Sequence, residues 1–136
     1  MVRDSCLCLH AQRAARALAR RFDEAFRPLD LTNGQFSLLM SLNRPEPPTL
    51  GSAAAFLAMD RTTLTAALKP LQRRKLVKVA ADKEDRRARR LVLTNAGRAV
   101  LTKAAPIWID EHGKLDCEIA AYSPESLRKG LRAISG

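Results

Sequence analysis

The run Asp82-Lys83-Glu84-Asp85-Arg86-Arg87-Ala88-Arg89-Arg90 crowds four arginines into its last five residues. Guanidinium groups gathered this way suit phosphates or a narrow minor groove, where the potential is negative. Upstream, Arg61-Thr62-Thr63-Leu64-Thr65 is followed by Lys69 and Arg73. On a helix, Thr62, Thr65, Ala66, Lys69 and Arg73 point away from a stripe of Leu64, Ala67, Leu68 and Leu71, and Arg61 and Thr63 flank that face. A helix fits the major groove of DNA, with its N-terminal residues meeting base edges. Arg61 suits a bidentate contact to guanine, the threonines suit base edges or phosphate, and Lys69 and Arg73 suit phosphates. In the arginine run, Arg86, Arg87 and Arg89 are the expected groove contacts. Asp85 is expected to stay off the nucleic acid and hold Arg87 through a forked ion pair.

The charge supports a polyanionic partner. The 136 residues carry 24 Lys+Arg against 14 Asp+Glu, a net charge of +10. The stretch from Asp60 to Arg90 alone holds eleven basic and four acidic residues, so +7 of the total sits in 31 residues. A solubility charge would be spread over the surface; a concentrated one points to nucleic acid.

Other chemistries find little support. The only histidines are His10 and His112, and no glycine-rich phosphate loop or nucleophile elbow is present. The expectation is a protein that is not an enzyme, with no cofactor and no metal. Apolar runs are far shorter than the roughly 20 residues that span a bilayer, and no secretory signal opens the sequence, so no membrane partner and a cytoplasmic location are expected. Three cysteines, Cys6, Cys8 and Cys117, are not a disulfide framework in that compartment. Arg13 and His10 supply positive charge near Cys8, and a thiolate is the form that reacts. Redox chemistry at Cys6, Cys8 and Cys117 therefore stands beside a filler role and beside metal binding by Cys6-x-Cys8-x-His10, whose spacing suits a strand better than a helix.

Those side chains need a scaffold, and the periodicity supplies one. Alanine and leucine dominate the apolar residues and aromatics make up 4%, which favours helices. Ala11, Ala14, Ala15, Leu18, Phe22, Ala25, Phe26 and Leu29 mark a helix that Pro28 and Asp30 end. Thr32 to Gln35 reads as a capping box for the next, Pro45 to Pro48 forces a loop, and Thr49 caps a short helix. Asp60 caps the helix of the cationic face, which stops near Arg74. Leu76–Ala80 and Arg89–Leu93 read as a hairpin whose tip is the charged run. Thr94 opens a long helix to about Ala120, where Pro106 predicts a kink, and Ser123-Pro124 opens a last one. Two short helices followed by a hairpin form a winged helix-turn-helix, mainly α with a small β-hairpin wing. Trp108 and His112, four residues apart, share a helix face. They are candidates for an aromatic-acid pocket, with a core or dimer-interface role as the alternative.

Across nearly its whole length the chain resembles the MarR family of transcriptional regulators. The resemblance rests on Leu31-Thr32-Asn33-Gly34-Gln35-Phe36-Ser37-Leu38-Leu39, Asp60-Arg61-Thr62-Thr63-Leu64-Thr65 and Leu71-Gln72-Arg73-Arg74-Lys75-Leu76-Val77. Its most specific part is the wing signature Asp85-x-Arg87 followed by Leu91-x-Leu93-Thr94. It implies a single domain over residues 1–136. Residues 31–94 would form the DNA-binding lobe, and 8–30 and 95–136 the helices of a homodimer. It further implies binding to double-stranded DNA at a pseudo-palindromic operator, usually as a repressor released by a small aromatic ligand or a peroxide. A nonspecific architectural DNA binder is the alternative. In the branch that senses organic hydroperoxides, a reactive cysteine has a placement similar to that of Cys8, in some members with a second one late in the chain, as Cys117 is. Two positions depart from the family pattern. Lys75 stands where a helix-ending glycine is usual, which implies a less sharp end, and Pro70 inside the helix predicts a bend.

Overall fold

Most helices of the chain begin where a hydroxyl, carboxylate or thiol replaces a backbone partner that the helix itself cannot supply. The computed structural model describes residues 1–136. A single turn, α1 (Val2–Ser5), precedes α2 (Leu7–Ala25), and a 3₁₀ turn over Arg27–Leu29 follows it. Next come α3 (Asn33–Leu42), α4 (Leu50–Phe56) and α5 (Arg61–Arg73). The strands β1 (Val77–Ala81) and β2 (Arg89–Leu93) lead into α6 (Asn95–Glu118), a 3₁₀ turn at Ala120–Tyr122, and α7 (Pro124–Ser135). The capping box at Thr32 is complete: its hydroxyl accepts from the Gln35 N–H at 3.1 Å, and the Gln35 side chain accepts from the Thr32 N–H at 3.1 Å. Thr49, Asp60, Thr94 and Ser123 cap α4, α5, α6 and α7 as their sequence positions predict.

The core lies between α3, α4, α5 and the hairpin. Leu39, Leu64, Leu71 and Leu91 are fully buried there, and Phe22 and Phe26 of the α2 end and Ala104 of α6 close it. The strands pair antiparallel, Val77 with Leu93 through Ala81 with Arg89. Thr49 adds an antiparallel bridge to Arg90, so the segment before α4 lies along the hairpin as a short third strand. No helix is long and apolar enough to cross a membrane.

Three expectations change. The helix α2 starts at Leu7, ahead of the apolar spacing that begins at Ala11, so Cys8 lies in its first turn; Cys6 is the cap, its sulfur accepting from the Leu9 N–H at 3.4 Å. The strand before the tip is shifted by one residue, to Val77–Ala81. The helix α5, which contains Pro70, ends sharply at Arg73 without a glycine. Lys75 adopts the left-handed conformation at φ 58°, the Lys75 N–H bonds the Gln72 carbonyl, and the Leu76 N–H bonds the Leu71 carbonyl, both at 2.9 Å. This is a Schellman closure. Burial of Leu71 and Leu76 holds a lysine in a conformation that glycine adopts freely.

The hairpin is joined to α6 by Thr94. Its hydroxyl donates to the Lys75 carbonyl at 2.7 Å, with the Leu76 carbonyl at 3.0 Å as the alternative, and accepts from the Gly97 N–H at 3.0 Å. The same side chain thus fastens the end of α5 and caps α6.

Candidate nucleic-acid interface

Helix α5 sorts its residues as the spacing demands. Leu64, Leu68 and Leu71 are buried, whereas Arg61, Thr62, Thr63, Thr65, Ala66, Lys69 and Arg73 are exposed on the opposite side. The Asp60 carboxylate accepts the Thr63 N–H at 2.7 Å. That bond holds its carboxyl below the usual carboxylate range and keeps a negative charge on the cap, where the helix dipole favours it. The Thr65 hydroxyl donates to the Arg61 carbonyl at 2.8 Å, which leaves its oxygen free to accept from an incoming group. The Arg61 guanidinium lies over Gly51 of α4; a β-carbon built at Gly51 would come 2.8 Å from Arg61 Nη2. Glycine there gives the arginine room to lie flat at the mouth of the helix pair.

The tip between the strands is closed by backbone bonds, with carboxylates of Asp82 and Asp85 accepting further N–H groups within it. The Asp82 N–H bonds the Ala88 carbonyl at 3.1 Å and the Ala88 N–H bonds the Asp85 carbonyl at 3.0 Å. Asp85 departs from its expected role. Its carboxylate accepts the backbone N–H of Arg87 at 3.0 Å instead of gripping the guanidinium, because Asp two residues ahead of an N–H closes an Asx-type turn at little cost. It positions the arginine through the main chain. Arg89 donates to the Arg86 carbonyl at 3.4 Å, and the ion pairs of the hairpin involve Arg90 alone. Arg86, Arg87 and Arg89 therefore present cations with no carboxylate to displace.

Two arginines in the basic stretch face inward instead. Arg74 donates to the carbonyls of Asp30 at 2.6 Å and Leu29 at 3.3 Å, tying the end of α5 to the turn after α2. Arg90 donates to the Pro47 carbonyl at 2.7 Å. Nothing in the run itself separates these two from their neighbours, since their partners are carbonyls of loops far away in sequence.

The remaining candidates lie on the long helices. The Trp108 ring stacks on His112 with centroids 4.6 Å apart, and His112 reaches Phe22 at 5.9 Å. His112 lines a groove of about 820 Å³ between α2, α6 and α7, with Leu7, Leu18, Leu115, Leu127 and Leu131. Trp108 stands outside that lining. All three thiols are free, and Cys8 and Cys117 are exposed. They lie on the helix turns that flank the groove, at the start of α2 and the end of α6. Arg21 crosses from α2 to α6, meeting Glu111 at 2.6 Å and Glu118 at 2.7 Å. Its guanidinium holds the Glu118 carboxyl below the usual range.

An exposed, N-capped α5 beside a cationic hairpin defines a winged helix-turn-helix protein. Comparison with known proteins carries this one step further. The model of the MarR family matches residues 31–88. The HTH-type transcriptional regulator TtmR of Methylorubrum extorquens (strain PA1) is 31% identical over 114 residues, which is 84% of this chain and 53% of TtmR. The chain thus spans about half the length of that curated relative. The crystal structure of the M. tuberculosis transcriptional regulator MosR in complex with DNA is 36% identical, with a TM-score of 0.83 over 96% of this chain and 94% of MosR. The transcriptional repressor CouR bound to a 23-mer DNA duplex is 26% identical, with a TM-score of 0.86 over 99% of this chain and 96% of CouR. The chain belongs to the MarR family.

Proposed function

We propose that this chain is a sequence-specific, double-stranded DNA-binding transcriptional regulator of the cytoplasm. The observation that carries the reading is the pairing of two cationic surfaces on one lobe. The outward face of α5 and the arginines of the hairpin tip both lack carboxylate partners, and a recognition helix with a wing needs that arrangement for the major and minor grooves. The structures of MosR and CouR, both bound to DNA, support it. Residues 31–94 form the DNA-binding lobe in this reading, and 8–30 and 95–136 form a dimer arm. Along that arm Leu131 and Ile134 of α7 are 58% and 66% exposed and Tyr122 is 73% exposed. A second copy covering this apolar groove gives a two-fold dimer and hence a pseudo-palindromic operator.

The test is duplex selection from a random pool followed by footprinting and light scattering. One short palindrome should be protected, by a species of twice the 15.0 kDa chain mass. Even coating of any duplex would favour the architectural alternative, and a monomer at micromolar concentration would defeat the operator geometry. Regulation takes the form of repression relieved by an oxidant at Cys8, with Cys6 and Cys117 as further candidate thiols, or by a small aromatic ligand near Trp108 and His112. Reversible loss of the operator complex on stoichiometric organic peroxide, abolished in Cys8→Ser, selects the oxidant; unchanged binding selects the ligand.

A further inference from the structure

A two-stranded hairpin is marginal in water without support from a third element, and the wing of this chain has strands of five residues each. Beside the core that buries Val77, Leu91 and Leu93, its open edge is supported by the segment Glu46-Pro47-Pro48-Thr49, and prolines limit what that segment can offer. Neither Pro47 nor Pro48 has an N–H, so the segment pairs with β2 as an acceptor. The Pro48 carbonyl takes the Leu91 N–H at 2.9 Å. The Pro47 carbonyl takes a side chain instead, Nη1 of Arg90 at 2.7 Å. The other end of that guanidinium, Nη2, lies 3.5 Å from Asp82 Oδ2, and Asp82 is the residue whose N–H closes the wing tip on Ala88. The side chain of Arg90 is 28% exposed and that of Asp82 16%. Glu46, 3.9 Å away and largely in solvent, adds little.

One planar fork therefore spans the loop ahead of α4 and the closing residue of the tip. Thr49, at the end of that loop, caps α4 and pairs with Arg90 in the sheet, and α4 packs against α5. We propose that Arg90 is the positioning residue of the wing. It acts through Pro47 and Asp82 to lock the pitch of the hairpin to the α4–α5 pair, so that Arg86, Arg87 and Arg89 reach the minor groove while α5 occupies the major groove. Arg90 itself is committed to protein and touches no phosphate. A lysine replaces it poorly, because its ammonium sits on a flexible stem and does not hold two acceptors at the fixed separation of a planar fork. The inference rests on the DNA-binding reading for its consequence and on the contacts alone for the anchor.

Two measurements on the full chain separate anchor from consequence. Without DNA, amide hydrogen exchange at Leu91 should accelerate about tenfold or more in Arg90→Gln and Arg90→Lys, and less in Asp82→Asn, as the third-strand contact loosens. With operator DNA, Arg90→Gln should weaken binding about tenfold and lower the slope of log affinity against log salt, since the tip arginines it places lose their groove contacts. The triple variant Arg86→Ala/Arg87→Ala/Arg89→Ala removes those cations, and adding Arg90→Gln to it should cost no further affinity or slope, because Arg90 acts only through them. Wild-type protection at Leu91 in Arg90→Gln, or a further loss of affinity or slope when Arg90→Gln is added to the triple variant, would overturn the proposal. If Arg90→Gln does not fold, the Asp82→Asn exchange and affinity values decide the matter in the same way. A wild type that binds no duplex would sink the DNA-binding reading while leaving the exchange result to judge the anchor.

Discussion

Gly97 is where a single methyl group should do the most harm. It is the third residue of α6 and is buried against the start of β1. A β-carbon there would lie 2.3 Å from the Leu76 carbonyl oxygen and 2.7 Å from Leu93 Cδ1. The first of these atoms is backbone and is already engaged by the Thr94 N–H at 3.1 Å, so it cannot swing aside. Restoring a tolerable contact requires the N-terminus of α6 to retreat by about 1 Å. Overpacking of this kind costs about 1–3 kcal/mol. The retreat also stretches the two bonds Thr94 makes to the end of α5, worth about 1 kcal/mol each, while alanine returns about 1 kcal/mol of helix propensity. Gly97→Ala should therefore destabilise the fold by about 2–4 kcal/mol. Urea denaturation followed by far-UV circular dichroism, at one fixed protein concentration so that any association contributes equally, measures it. A variant within about 0.5 kcal/mol of wild type, or one stabilised by propensity, would refute the argument that the α6 start and the α5 end are in hard contact.

Three further outcomes follow from the same geometry. Lys75→Gly should raise stability by about 0.5–1 kcal/mol in the same titration, because relief of the left-handed strain outweighs the added chain entropy; a loss would mean that the lysine side chain stabilises the closure. Acid should loosen the arm: the Arg21 contact depresses the Glu118 carboxyl, so its contribution is present above the unfolded value of about 4.3 and is lost as pH falls through the lower folded value. A pH series of melting curves should show that loss below about pH 4, and Glu118→Gln should flatten it; identical profiles would exclude the pair as the cause. On DNA, Arg61→Ala should cost about 1–3 kcal/mol on the cognate site and relax one base pair, whereas Lys69→Ala should weaken cognate and random duplexes alike. Equal losses of both variants on both duplexes would undo that division of roles.

What could be read from residues alone was local. The caps at Thr32, Thr49, Asp60, Thr94 and Ser123 announce themselves because donor and acceptor lie within three residues, and the leucine stripe of α5 follows from its 3.6-residue period. The strand Arg89–Leu93 was legible from the alternation of Leu91 and Leu93. Features that depend on distant partners were not. Arg74 and Arg90 stand outside the expected groove contacts, but their inward partners have no local signal, since the acceptors are carbonyls 44 and 43 residues away. Lys75 defies the preference for glycine because tertiary burial on both sides outweighs a local strain of about 1–2 kcal/mol. The start of α2 lacks a sequence signal because cysteine is an uncommon cap, and the Asp85 carboxylate meets the backbone N–H of Arg87 before its guanidinium because the nearer donor costs less chain ordering.

Trp108 is the only tryptophan of the chain. It is 37% exposed, and its indole stacks on an imidazole that borders the apolar groove. Its emission is therefore an intrinsic optical readout of what enters that groove. A second copy or a small aromatic molecule arriving there changes the polarity around one fluorophore on α6, far along the helix from the wing. Titrating the unlabelled chain by dilution gives an assembly curve, and titrating it with effectors at fixed concentration gives binding curves, with no dye, tag or cysteine chemistry to disturb the arm.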